Sequence, residues 1–268
     1  ESLCTYEANL TVIEKDDILE GYSKELDERI LIERQFAKPL LKGNSVHRYE
    51  AINTNEAVIF PYYVLDNNDK EMAAIYTENE IKNKFPNGYS YLKKCEEVLR
   101  SRERGKLLND EKWYRYIYPK NLTMFHKEKL MTPYLSLGSQ FSYDKKGEFY
   151  GNTKCFGLIK HRDFKESYEF YMSILNSKLT WFFIKNTSSV MSGGYYTYTK
   201  EYLNPFPLPQ ISNYDDTKPF EELVNKITAN KNLNLDTSDL EHEVDNLVYK
   251  LYKLTDEEIE FVEINSNL

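Results

Sequence analysis

Residues 88–107, GYSYLKKCEEVLRSRERGKL, place apolar side chains at Tyr91, Leu92, Cys95, Val98 and Leu99, the spacing that gathers one stripe on a helix. The opposite face carries Lys93, Lys94, Arg100, Arg102, Arg104 and Lys106. ESYEFYMSILNSKLTWFFIKNTS (166–188) is apolar enough on all sides to predict a buried helix. Helical spacing returns in KPFEELVNKITAN (218–230) and LEHEVDNLVYKLYKLTDEEIEFVE (240–263). The second of these contains a fresh helix start at Thr255, an N-cap followed by acidic residues that suit the positive end of the helix dipole.

Other segments read as strands. AVIFPYYVL (57–65) is β-branched and aromatic, and KLMTPYLSL (129–137) and TKCFGLI (153–159) are of similar character. GSQFSYDKKGEFYGN (138–152) predicts a hairpin turning at DKKG (144–147). Gly43 and Asn44 mark a turn leading into a strand. Residues 16–38 are largely polar, with Ile18, Leu19, Leu26, Ile30 and Leu31 as the apolar positions, and predict a helix ending before Pro39. Strands in the middle and helices at the ends predict an α+β fold: a mixed or antiparallel β core, flanking helices and a C-terminal helical segment. The expected organisation is a helical connector over 1–40, a central domain over 41–210 and a helical tail over 211–268 packing on it.

Charge changes the picture. The net charge of −8 argues against a nucleic-acid partner when taken alone. Residues 1–40 carry 5 basic and 10 acidic side chains, residues 41–210 carry 25 and 19, and residues 211–268 carry 5 and 14. A basic, tyrosine-rich middle between acidic ends fits a polyanion-binding face, and equally a solvated surface with acidic helices at its ends. No apolar run approaches 18 residues and no signal-peptide pattern opens the chain, so a soluble, cytoplasmic protein is expected. The first residue, Glu1, raises the expectation of a piece cut from a longer polypeptide. Cys4, Cys95 and Cys155 share no metal-like spacing and are expected to be reduced, structural thiols.

Motifs of catalysis are scarce. The chain has no GxGxxG, GxxxxGK[ST], CxxC, HExxH or GxSxG pattern, and its histidines (47, 126, 161 and 242) stand singly. Glu80-Ile81-Lys82 with Asp69 upstream loosely fits the carboxylate arrangement of a metal-dependent nuclease, which keeps a stand-alone nuclease open as an alternative. Asn204-Pro205-Phe206 has a single proline where amino-methyltransferases have two, and no cofactor strand precedes it, so it is not read as catalytic. A protein-interaction module presenting Trp181, Phe182 and Phe183 is a third possibility, core packing being the alternative for those rings.

The loop SVMSGGYYTYTKEYLNPFPLP (189–209) sets two glycines among tyrosines and a lysine, then runs into prolines. Such a loop suits close approach to a polyanion, and also an ordinary buried turn. With Leu41-Lys42-Gly43-Asn44, Arg48-Tyr49, Trp113-Tyr114 and Lys129-Leu130-Met131-Thr132-Pro133, it forms an ordered series. The series continues with Ile174-Leu175-Asn176-Ser177-Lys178, Ser192-Gly193-Gly194, Lys200 and Phe206-Pro207-Leu208-Pro209. It ends on Asp245-Asn246-Leu247-Val248-Tyr249 and Leu254-Thr255-Asp256-Glu257-Glu258. From about residue 30 onward the chain resembles the TaqI-like C-terminal specificity domain of restriction–modification enzymes, the class that joins an adenine-N6 methyltransferase to a target recognition domain; residues 1–30 do not align.

The resemblance implies a non-catalytic domain that recognises double-stranded DNA in a cleft beside an upstream methyltransferase domain of the same polypeptide. S-adenosylmethionine and Mg2+ are then expected for the parent enzyme and not for this fragment, and the tail is expected to close the domain. Ser192, Gly193, Gly194, Tyr195, Tyr196, Tyr198 and Lys200 become candidates for backbone and phosphate contact. Gln140, Ser142, Lys145, Lys146, Asn152 and Lys154 on the expected hairpin become candidates for base contact, with a solvated hairpin as the alternative. Lys42 and Arg48 at the domain entry, and Lys93, Lys94 and Arg100 on the basic helix, complete the DNA-contacting set.

Overall fold

A computed structural model describes residues 7–11, 17–67 and 70–266. The strands in chain order are β1 (Glu7–Thr11), β2 (Ile18–Ser23), β3 (Glu28–Glu33), β4 (Ala37–Leu41), β5 (Glu56–Ile59), β6 (Tyr62–Asn67) and β7 (Lys70–Ile75). These are followed by β8 (Lys129–Pro133), β9 (Leu135–Ser136), β10 (Ser142–Asp144), β11 (Tyr150–Gly151), β12 (Cys155–Leu158) and β13 (Tyr196–Thr197). The helices are α1 (Glu78–Lys84), α2 (Pro86–Lys94), α3 (Glu96–Gly105), α4 (Tyr168–Leu175), α5 (Lys178–Thr187) and α6 (Lys200–Leu203), then α7 (Lys218–Asn232), α8 (Ser238–Leu251) and α9 (Asp256–Asn265). The fold is α+β. Among the described residues no helix is long and apolar enough to cross a membrane.

The chain divides into two compact units, the first made of residues 1–40, 54–127 and 147–150. Its sheet runs β11-β4-β5-β1-β2-β3, with β1 antiparallel to β2 and β5, β2 to β3, and β4 to β5. The helix expected before Pro39 is replaced by strands. Leu19, Gly21 and Ser23 on β2, and Ile30 and Ile32 on β3, are buried while Tyr22 and Leu31 between them are exposed. That is a two-residue period, and each strand is too short to reveal it against a polar background. The described part of 1–40 is therefore strand rather than helical connector.

The expected strand 57–65 breaks at Phe60-Pro61 into β5, which joins the large sheet, and β6, which pairs only with β7 among the described strands. The basic helix is two helices meeting at Cys95, and its end bends where Glu103 and Arg104 take positive φ of 50° and 60°. Glu33 accepts hydrogen bonds from the Asn87 and Gly88 N–H groups, each at 2.9 Å, capping α2 from the neighbouring strand. Ile32, Phe36, Leu40, Phe85, Leu92, Leu99 and Trp113 build the core between these elements.

The second unit holds residues 41–53, 128–146 and 151–268. It contains the small sheet β10-β8-β12 and the pair β13-β9, all antiparallel. Phe170, Ile174, Trp181, Ile184, Phe220, Val224, Val244 and Val248 form its core. The Asn176 side chain accepts from the Phe141 N–H at 2.8 Å and donates to the Phe141 carbonyl at 2.9 Å, holding the helix junction to the segment before β10. Ser177 then caps α5, and Asp245 of α8 accepts from the Lys178 N–H at 2.8 Å. Residues 211–268 thus pack as part of this unit: Tyr249 donates to Glu263 at 2.7 Å, and Lys185 donates to the Asn265 carbonyl at 2.9 Å.

Cys95 and Cys155 are free and buried, and burial raises both thiols; Cys4 lies outside the described residues.

Candidate nucleic-acid interface

The loop after α5 is a built hairpin. Ser188 Oγ donates to the Thr197 carbonyl at 2.7 Å and accepts from the Thr197 N–H at 3.0 Å. Val190 bridges to Tyr196, and the Met191 N–H donates to the Tyr195 carbonyl at 2.7 Å. The tip is Ser192-Gly193-Gly194, exposed, with φ of 83° at Gly193 and 78° at Gly194. A Cβ at Gly194 would meet nothing within 4 Å, so the glycine there serves the backbone angle and leaves open space at the tip.

The tyrosines differ in burial along the loop. Tyr195 is exposed, Tyr196 is half-buried edge-on to Trp181 at 5.0 Å, and Tyr198 is fully buried with its hydroxyl 3.4 Å from that of Ser139. Tyr198 is therefore a core residue and not a contact for DNA. Lys200 is exposed at the start of α6.

The expected hairpin of 138–152 is absent. β10 pairs with β8, through Ser142↔Met131 to Asp144↔Lys129, while β11 lies beside β4. The chain does turn at Gly147, whose φ is 66° and where a Cβ would lie 2.1 Å from the His126 carbonyl oxygen, but the two arms then pair in different sheets. Ser142 is fully buried and donates to the His47 carbonyl, which removes it from the candidate base readers. Gln140 is half-buried, Lys145 and Lys146 are exposed, and Lys154 is exposed with its ammonium 5.8 Å from the centre of the Tyr134 ring. Asn152 Oδ1 accepts from the Lys154 N–H at 2.8 Å, closing a turn with its side chain.

The other basic candidates are largely committed within the fold. Arg48 is held 2.9 Å from Glu241 and over the ring of Tyr49, a structural cation at the domain entry; Lys42 is half-buried. Lys93 pairs with Glu96 and approaches Glu78 at 3.8 Å, and Lys94 pairs with Glu28 at 2.5 Å. Arg100 pairs with Glu96 at 2.8 Å and donates to the carbonyls of Leu107, Leu108 and Asp110. Arg102 donates to the carbonyls of Leu99, Trp113 and Arg115. The stripe is neutralised in part by Glu96 within its own segment and in part by Glu28 and Glu78 from outside it.

Glu80 closes a capping box on α1, accepting from the Thr77 N–H at 2.8 Å while Thr77 Oγ1 accepts from its N–H at 3.3 Å. The Thr77 N–H and hydroxyl, both donating to Glu80 Oε2 at 2.8 Å, hold its carboxylate below the usual range. Asp69, its expected partner in a metal site, lies outside the described residues. Among the described residues no cluster of three His, Cys, Asp or Glu side chains is placed to hold a metal ion. Trp181 is buried, Phe183 packs on Phe206 at 5.2 Å and Phe182 on Phe261 at 5.8 Å, so these rings are largely spent within the unit. Phe206, of the single-proline motif, is buried as well.

Residues 38–208 match the TaqI-like C-terminal specificity domain. The chain belongs to that family. The match enters at β4, runs through both compact units and ends in the proline segment after α6, so the helices α7–α9 lie beyond it. As a TaqI-like specificity domain, this chain is of the kind that selects a DNA sequence for restriction–modification enzymes.

Proposed function

We propose that this TaqI-like specificity domain reads a defined sequence in double-stranded DNA on behalf of a methyltransferase, with or without a nuclease, carried elsewhere in the same polypeptide. The observation that carries the reading is the family match over residues 38–208. S-adenosylmethionine and Mg2+ belong to those other parts, and no residue of this chain is assigned to them.

Within the second unit, the exposed tip Ser192-Gly193-Gly194, with Tyr195 and Lys200, is suited to the phosphate backbone: small residues permit close approach, and Lys200 supplies a cation. Lys145, Lys146 and Lys154 are the exposed side chains among the candidates on the expected hairpin, and the half-buried Gln140 and Asn152 are amides of the type that reads adenine.

Selection from a pool of randomised duplexes tests the reading: the chain is expected to enrich one sequence. Lys200→Ala is expected to weaken binding to the enriched and to unrelated duplexes by similar factors, since a phosphate contact carries no direct sequence information. Enrichment of nothing would contradict the reading.

A further inference from the structure

Within the first unit, β6 and β7 form a two-stranded antiparallel ribbon that joins no other sheet among the described strands. Register sets its two faces. Tyr62↔Ile75, Val64↔Ala73 and Asp66↔Glu71 share one side; Tyr63↔Ala74, Leu65↔Met72 and Asn67↔Lys70 share the other. The first side is anchored. Tyr62 is buried and its hydroxyl accepts from the Tyr116 N–H at 2.7 Å, while Glu71 pairs with Lys127 at 2.5 Å and with His126 at 3.3 Å. The base of the second side is fixed by Tyr63, whose ring lies 4.6 Å from that of Tyr76.

Beyond that base the second side is open. Leu65 and Met72 stand opposite one another, 46% and 51% exposed, and next to them come Asn67 and Lys70, both exposed. Exposed apolar pairs on a free ribbon invite aggregation, and a ribbon serving only the fold has no use for them. Among the described residues this side carries one charge, that of Lys70, and Asp66 and Glu71 are on the opposite side; Asp69, in the connection, lies outside the described residues. Two strands about 4.8 Å apart fit a major groove about 12 Å wide. There an amide matches adenine, an ammonium matches guanine, and apolar carbons meet the thymine methyl group.

We infer that the β6–β7 ribbon is a base-reading element that enters the major groove of duplex DNA, with Asn67 and Lys70 as specificity-determining side chains and Leu65 and Met72 as the apolar contact behind them. The inference rests on the proposed specificity role and adds a base-reading element of the first unit to the candidates of the second.

The test uses the full chain with Asn67→Ala and Lys70→Ala, each checked for an unchanged circular-dichroism melt, in selection from randomised duplexes. Dimethyl sulfate interference, which probes guanine N7 in the major groove, is run on the sequence the wild type selects. Each variant is expected to relax preference at a base position by roughly 5- to 150-fold, the discrimination one good base contact supports, and N7 methylation at a guanine of the site is expected to block wild-type binding. Variants that select the wild-type sequence with unchanged stringency would overturn the ribbon's role and leave the specificity role standing. A wild type that selects no sequence would remove both. Self-association of the chain that Leu65→Lys abolishes, with selection unaltered, would seat a second copy on the ribbon and overturn the inference.

Discussion

Lys129 of β8 and Asp144 of β10 form an ion pair at 2.5 Å with their side chains 3% and 1% exposed. Burial pulls the ammonium below its usual value, and Asp144 opposes that shift. Removing one partner leaves an uncompensated buried charge, so Asp144→Ala is expected to cost about 3–5 kcal/mol. Lys129→Met with Asp144→Leu is expected to restore most of it; urea denaturation of the three chains checks both. Asp245 gives a pH signature. Burial pushes its carboxyl up to about 6, against which the Lys178 N–H pulls it down. The native state therefore holds this proton at pH values where the unfolded chain, with a pKa near ~3.9, has released it. Its contribution is present below pH ~4 and is lost as pH rises through about 6. Asp245→Asn keeps an acceptor for Lys178 and is expected to flatten stability over that window, seen as a smaller difference between melts at pH 4.5 and 6.5. Neither pairing is legible in the sequence, since Lys129 and Asp144 sit in segments that read as an ordinary strand and a turn. For Tyr198, in contrast, the sequence allows either contact or burial, and its packing into the second unit's core beside Phe141 decides for burial.

Among elements, the long periodic ones are legible. α7, α8 and α9, and the cap at Thr255, lie where apolar spacing and cap chemistry put them, while the helix expected over 166–188 is two, α4 and α5, broken at Asn176-Ser177, and the one-turn α6 falls in a segment that reads as loop. β2 and β3 of the first unit are not, since six residues are too few to separate a strand's two-residue period from a helical stripe. The missing hairpin has a definite cause: DKKG does turn the chain, yet the next strand, β11, pairs with β4, a partner distant in sequence. Gly147 and Gly194 show how differently two such turns are built. Both have positive φ, so alanine costs about 1–2 kcal/mol at either on backbone grounds. Only at Gly147 would the Cβ strike backbone, 2.1 Å from the His126 oxygen. Gly194→Ala is accordingly expected to cost about 1 kcal/mol, and Gly147→Ala upwards of ~3 kcal/mol. Thermal melts giving equal losses would show that the 147 turn moves aside freely.

At the scale of the whole molecule, a net charge of −8 and a DNA-directed role meet through distribution. Within residues 211–268 the acids outnumber the bases 14 to 5, and Glu241, Asp245 and Glu263 there are engaged with Arg48 and Lys178 or hold helices together. Paired carboxylates of this kind shape the unit, so part of the segment's acidic excess is spent on cations of the fold itself. The family is legible from the order of its motifs, although several of those motifs prove to be structural: Asn176, Ser177 and Arg48 hold the second unit together. Sequence order locates the domain; it does not separate residues that build it from residues that read DNA, because both kinds are polar. Affinity at a single duplex would not distinguish specificity from charge, since any basic surface binds DNA at low salt. The deciding quantity is the ratio of the chain's affinities for its selected duplex and for a scrambled duplex of equal length and composition, measured at one physiological salt concentration. A sequence-reading domain is expected to give a ratio on the order of 10³, the lower end for specific DNA-binding proteins; a ratio near one would contradict that role.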